Sequence, residues 1–119
     1  MTLRTIRLEL ARSAEFPAGS PNHGYELRAP LAADGHLDAT AFAGVKAQCT
    51  ARRFWGGLPE QKGWLVRTAN HAWAISYAPG PDDDEAIFKL DRHLFRPGEY
   101  VTIAEPTGTA HTYRVASVS

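Results

Sequence analysis

The stretch from residue 49 to residue 77 reads CTARRFWGGLPEQKGWLVRTANHAWAISY and contains all three tryptophans of the chain. Two strand-like runs, Thr50–Trp55 and Trp64–Ala69, flank a loop rich in glycine and proline, which is typical of a β-hairpin with a long connection. The next run, His71–Tyr77, alternates large side chains with small ones, which is the period of a β-strand. Its small face lets another element come close, so this stretch predicts the centre of a β-structure.

The rest of the chain also shows the short period of β-strands. Thr2–Arg12 and His23–Leu31 alternate apolar and charged residues, and we expect them to pair antiparallel. Ala86–Leu90 predicts a further short strand, and the closing segments EYVTI and HTYRVASV predict a hairpin. Seven or eight short strands with one helix indicate a mainly β fold, either a small antiparallel barrel or a strongly curved sheet. Nothing marks a second domain, so residues 1–119 are interpreted as one globular β domain.

One short helix is predicted around residues 38–48, where the sequence is rich in alanine and lacks β alternation. Asp38 can accept hydrogen bonds from the amides of a first helical turn. Phe42, Val45 and Cys49 fall on one stripe at helical spacing, which would face the core. Gly44 disfavours a helix, and an irregular connection is the alternative interpretation.

Charge and cysteine content limit the classes of function. Thirteen Lys and Arg balance thirteen Asp and Glu, which argues against a general affinity for nucleic acid or anionic membranes. Residues 1–70 nevertheless carry nine basic against six acidic residues, so a local basic patch is expected. Cys49 is the single cysteine and cannot form an internal disulfide. Because the start MTLRTIRLELAR also lacks the apolar run of a signal peptide, we expect a cytoplasmic protein with no membrane partner.

Four short segments together resemble a family of small uncharacterised bacterial proteins. They are TIRLELAR near the start, HGYE at His23–Glu26, RRFWGG at Arg52–Gly57 and PGEYV at Pro97–Val101. The resemblance implies no established activity, ligand or catalytic residue, so no residue role is transferred from it. The closing PGEYVTI and YRVASV are also similar to the terminal hairpins of SH3-like barrels, a likeness of fold that does not specify function.

The first candidate site is a basic and aromatic cluster on the central hairpin. Its members are Arg52, Arg53, Phe54, Trp55, Trp64 and Arg67. Trp and Arg dominate protein interfaces, and exposed aromatics with arginines can also bind single-stranded nucleic acid. Alternation places Arg53 and Trp55 on one face and Arg52 and Phe54 on the other, so core packing of the tryptophans is the competing interpretation. We predict a non-enzymatic binding module that recognises a protein partner or small ligand through the Arg52–Trp73 region, with single-stranded nucleic acid as the alternative.

Other reactive residues give weaker hypotheses. Folding could gather some of the five histidines, His71 and His111 for example, into an enzyme or metal site, although none has the spacing of a metal motif. Asp82–Glu85 could hold a cation, but such a run is more typical of a solvated loop. Cys49 is interpreted as a buried apolar residue rather than a nucleophile. The sequence therefore predicts no cofactor, no metal and no catalytic residue.

Overall fold

The computed structural model describes residues 3–67, 73–77, 85–89, 94–104 and 109–119. Eight β-strands lie in these ranges: β1 Leu3–Leu10, β2 Ser20–Pro30, β3 Thr50–Trp55, β4 Gln61–Arg67, β5 Trp73–Ser76, β6 Glu85–Lys89, β7 Tyr100–Ala104 and β8 Ala110–Val118. One α-helix, α1 (Ala39–Val45), continues into a 3-10 turn over Lys46–Gln48. The predictions of a mainly β fold and of one short helix near residues 38–48 are both confirmed.

The strands form a closed barrel in which every strand pairs antiparallel with its neighbours in sequence. The barrel closes where β1 pairs with β8, for example Leu8 with Val115 and Leu10 with Tyr113. Closure gives each of the eight described strands a partner on both sides, which protects the strand edges. Of the two predicted alternatives, the chain adopts the barrel.

Alternation along the strands fills the barrel interior. Ile6, Leu8 and Leu10 of β1 are buried, whereas Arg7 and Glu9 between them face outward and remain partly exposed. The same period buries further side chains from the other strands: Tyr25, Leu27, Leu65, Trp73, Ile75, Val101, Ile103, Tyr113 and Val115. Tyr25 and Tyr113 meet edge to face at 5.1 Å between ring centroids, an arrangement that aromatic pairs prefer. The interior is therefore packed by side chains.

The helix packs at the end of the barrel where β2 ends and β3 begins. The Asp38 carboxylate accepts a hydrogen bond from the Ala41 amide at 3.0 Å, which caps the first turn as predicted. Phe42 is buried edge to face against Trp73 at 4.9 Å between ring centroids. Cys49 is fully buried, so the predicted apolar stripe packs against the core. Within the described residues, no helix has the length and apolar character needed to cross a bilayer.

The central hairpin differs from the sequence prediction in one respect. β4 begins at Gln61, three residues before the predicted start at Trp64, because Gln61 and Lys62 pair with Arg53 and Arg52. A turn in which the Leu58 amide donates to the Trp55 carbonyl at 2.9 Å shortens the loop. Gly63 then fits inside the sheet because it has no side chain: a Cβ at this position would lie 2.3 Å from the Ser76 carbonyl oxygen.

Several predicted features lie outside the described residues. They are Asn70, His71, His93 and the aspartates of the acidic run, Asp82–Asp84. The hypotheses of a site that includes His71 and of a cation site at residues 82–85 stay predictions.

Candidate functional site

The six residues of the predicted cluster lie in three places rather than on one surface. Arg52, Phe54 and Trp64 lie on the outer face of the barrel, as the cross-strand register requires. Arg53 and Trp55 are on the alternate side of β3, at the end of the barrel opposite α1, which confirms the division that alternation predicted. Arg67 is at the α1 end, where its guanidinium carbon lies 5.1 Å from the Trp73 ring centroid.

Arg52 and Phe54 belong to a self-contained cluster on the outer face. Arg52 donates to the Glu26 carboxylate at 2.8 Å and also forms an ion pair with Glu60. Phe54 is only 9% exposed because the guanidinium groups of Arg7 and Arg52 lie over its ring, 4.5 and 5.4 Å from the centroid. Desolvation opposes the charge on Arg52, but hydrogen bonds and charge interactions with the two glutamates outweigh it and raise its pKa. This part of the predicted site is engaged in structural contacts.

Arg53 and Trp55 belong to a second cluster, built of stacked rings. The Arg53 guanidinium carbon lies 4.5 Å from the Trp55 ring centroid. His23 packs edge-on to the same indole at 4.5 Å, and His111 lies 5.6 Å from it. The His23 imidazole is held in turn by a 2.7 Å hydrogen bond to the Ser20 hydroxyl. Two of the five histidines therefore meet on one tryptophan, in half-buried positions.

Trp64 is the member of the predicted cluster that faces outward without cover. Half of its surface is exposed, the largest exposed fraction of any aromatic side chain in the described part of the chain. Its ring forms one wall of a recess of about 400 Å³ on the outer face of β1 to β4. The other polar side chains around the recess are Thr5, Glu26, Arg28, Thr50, Arg52 and Lys62.

The charge in this recess is unbalanced. Arg52 is paired with Glu26 and Glu60, whereas neither Arg28 nor Lys62 forms an ion pair with any described residue. Two cations without a carboxylate partner therefore stand beside an exposed indole. Such an arrangement can bind a carboxylate or a phosphate and pack an apolar or planar group next to it. We call this region, defined by Arg28, Lys62 and Trp64, the Trp64 face.

Arg28 and Lys62 were not among the predicted site residues. Alternation already placed Arg28 on the charged side of its strand, opposite Tyr25 and Leu27. What brings it to Trp64 is the register: Leu27 pairs with Ala51, which places Arg28 beside Thr50, and Thr50 pairs with Trp64. That information lies in pairing between distant segments and not in any local motif.

Other reactive groups of the described residues include His36, Asp34 and Cys49. Among the described residues, no group of three or more His, Cys, Asp and Glu is placed to hold a metal ion. His36 pairs with Asp34 at 2.9 Å, and hydrogen bonds from His36 lower the pKa of the Asp34 carboxyl. Burial raises the pKa of the Cys49 thiol, which opposes formation of the nucleophilic thiolate. Cys49 is thus a packed core residue.

Comparison with known proteins adds no assignment. No family model, no curated protein and no solved structure matches the chain.

Proposed function

We propose that this barrel is a non-enzymatic binding module that recognises an acidic peptide segment of a protein partner through the Trp64 face. One observation carries the proposal: Trp64 is half exposed beside Arg28 and Lys62, two cations with no carboxylate partner among the described residues. An acidic segment would supply the missing carboxylates, and the indole would bury apolar surface against it. Tryptophan and arginine are the residue types that most often dominate such interfaces.

The closed barrel restricts how a partner can bind. Since β1 pairs with β8, every described strand has a partner on both sides, which leaves no described strand free along its length for a peptide to add by backbone hydrogen bonds. Recognition must then use side chains on the outer face, and charge complementarity would set specificity and the rate of association. Because the chain has a single cysteine, we place the module in the cytoplasm.

Single-stranded nucleic acid is the second candidate for the same face. The observation that favours it is the exposed Trp64 ring beside Arg28 and Lys62, since bases stack on aromatic rings while cations bind phosphates. The formal net charge of zero weighs against it, because non-specific nucleic-acid binding depends on excess positive charge. We therefore rank the acidic peptide first.

Fluorescence anisotropy can test the proposal with three labelled probes. The first is a peptide in which two leucines are flanked on each side by three glutamates, the second has lysines in place of the glutamates, and the third is an oligothymidylate. We expect the acidic peptide to bind and the lysine peptide not to bind. Trp64→Ala should weaken binding roughly tenfold or more, the effect typical of a central interface residue.

Tyr100→Ala is the matched control, because Tyr100 is 45% exposed on β7, away from the Trp64 face. It should leave the affinity unchanged. The proposal is wrong if the acidic peptide does not bind or if Trp64→Ala binds it as tightly as the unmodified protein. Binding of the oligothymidylate alone, with a steep loss on adding salt, would replace the acidic peptide with nucleic acid as the ligand.

A further inference from the structure

Trp64 also forms a wall of a second recess, which lies between the helical segment and β4. This groove has a volume of about 430 Å³ and meets the Trp64 face at the indole. The other residues that line it are Phe42, Lys46, Ala47, Leu65, Val66 and Arg67. Trp64 is therefore a ridge shared by two neighbouring recesses.

The two recesses differ in chemistry. The groove is lined mainly by apolar atoms, including those of Phe42, Leu65 and Val66, so this recess offers mainly apolar contact. Lys46 and Arg67 are both exposed at the groove, and no acidic residue among those described lines it. The recess on the Trp64 face also has apolar walls but a larger polar share, from the hydroxyl groups of Thr5 and Thr50 and from charged side chains.

Taken together, the two recesses form a strongly basic surface on a chain with no net charge. Their lining includes five basic side chains, Arg28, Lys46, Arg52, Lys62 and Arg67, and one acidic side chain, Glu26. Of the five, Arg52 is engaged by glutamates. A ligand that fits both recesses must therefore bring negative charge to each side of the indole and an apolar group to the groove.

We infer that one peptide segment occupies both recesses, crossing Trp64 with an apolar side chain in the groove and carboxylates beside Lys46 on one side and Lys62 on the other. The inference depends on the proposed function and specifies its ligand: an acidic segment with an apolar anchor, rather than an acidic segment of any kind. The groove selects the apolar residue, and the flanking cations select the charges. Apolar burial in the groove then adds to the affinity that charge alone supplies.

The test changes the groove without changing the Trp64 face. Ala47→Glu places a carboxylate in the groove lining, at an exposed position of the 3-10 turn. Ala43→Glu is the matched control, because Ala43 is also exposed, lies on α1 and does not line the groove. The probes are the labelled peptide with two leucines between glutamates and a second peptide with serines in place of the leucines.

We expect the leucine peptide to bind the unmodified protein roughly tenfold more tightly than the serine peptide, the effect of burying about one apolar side chain. Ala47→Glu should abolish that difference, and Ala43→Glu should preserve it. Equal affinity of the two peptides, or an unchanged preference for leucine in Ala47→Glu, would overturn the inference. In either case the proposed function would still stand if Trp64→Ala weakened both peptides, so the two failures are distinguishable.

Discussion

Trp64 lies directly opposite Thr50 across the β3–β4 hairpin, and both face the outside of the barrel. The neighbouring strand β2 contributes Arg28, which lies in the same row because Leu27, one residue earlier, pairs with Ala51. This register holds a half-exposed indole on a rigid sheet beside a cation that has no ion-pair partner among the described residues. A rigid aromatic anchor of this kind loses little entropy on binding, which suits it to recognition.

Removal of the Trp64 side chain should leave the fold intact. Because only half of the indole is buried, Trp64→Ala is expected to lower the free energy of unfolding by about 1–2 kcal/mol. Trp73→Ala is the contrasting variant, since Trp73 is buried against Phe42 and its loss should cost roughly 3–5 kcal/mol. Urea denaturation followed by circular dichroism measures both values. A large destabilisation by Trp64→Ala would show that the indole serves the core.

Reversal of the charge of Arg28 or Lys62 should weaken binding of the acidic peptide and reduce its dependence on salt. Arg28→Glu and Lys62→Glu each replace a cation of the recess by a carboxylate, so the attraction for the acidic peptide is weaker. Salt then has fewer attractive charge pairs to screen, so the affinity depends less on salt concentration. Arg114→Glu is the control, because Arg114 is exposed on β8, outside both recesses. Anisotropy titrations at low and high salt give the comparison. Equal effects of all three variants would mean that only the net charge of the molecule matters.

Two glycines should respond in opposite directions to the same substitution. A Cβ at Gly24 would lie 1.9 Å from the Leu8 carbonyl oxygen, so Gly24→Ala must displace backbone and should destabilise the barrel. Gly44 lies near the end of α1, where a methyl group would meet no described atom beyond its own helix within 4 Å. Gly44→Ala should therefore stabilise the protein by up to about 1 kcal/mol. Thermal unfolding measures both, and a stable Gly24→Ala protein would contradict the close approach of β1 and β2.

Stability should depend on the ionisation of Cys49 at alkaline pH. Burial raises the pKa of this thiol above its ordinary value of 9.0, so the folded state disfavours the thiolate. Between the pKa of the unfolded chain and that of the folded protein, the Cys49 thiol therefore keeps its proton in the folded state and loses it in the unfolded state. The contribution of the Cys49 thiol to the free energy of unfolding is therefore complete below pH 9.0 and is lost as pH rises toward the folded pKa.

Above pH 9.0, the free energy of unfolding of the unmodified protein should fall relative to that of Cys49→Ala. Below that pH, the difference between the two proteins should stay constant. Urea denaturation at a series of pH values gives the difference. Parallel curves throughout the alkaline range would contradict the raised pKa.

The fold was predictable from the sequence because period-two alternation is a local signal that burial enforces directly. Ile6, Leu8 and Leu10 must face one way in any β1 strand, and a one-residue slip would expose all of them. The helix could be predicted for the same reason, since the capping residue Asp38 and the apolar stripe that includes Phe42 are local features. The cap and the packing of Phe42 confirm them. Closure of the barrel was not predictable in this way, because the pairing of β1 with β8 joins the two ends of the chain.

The candidate site was harder to predict because it depends on the register of separate strands. The hairpin composition identified Trp64 but grouped it with Arg53 and Trp55, which the structure places on the alternate side of β3 at one end of the barrel. Composition gave no reason to add Arg28 from β2 or Lys62 from the predicted loop. The pairing of Glu26 with Arg52 brings β2 and its Arg28 to β3, and the pairing of Thr50 with Trp64 brings β4 to the same recess.

Nuclear magnetic resonance tests the central claim most directly, because the three tryptophans give three indole N–H signals that Trp→Phe variants can assign. The acidic peptide with two leucines is titrated into the isotope-labelled protein while these signals are followed. If the Trp64 face is the binding surface, the Trp64 signal shifts in proportion to occupancy, while the Trp55 signal, in the ring cluster with His23, stays in place. A shift of the Trp55 signal with an unchanged Trp64 signal would contradict the account.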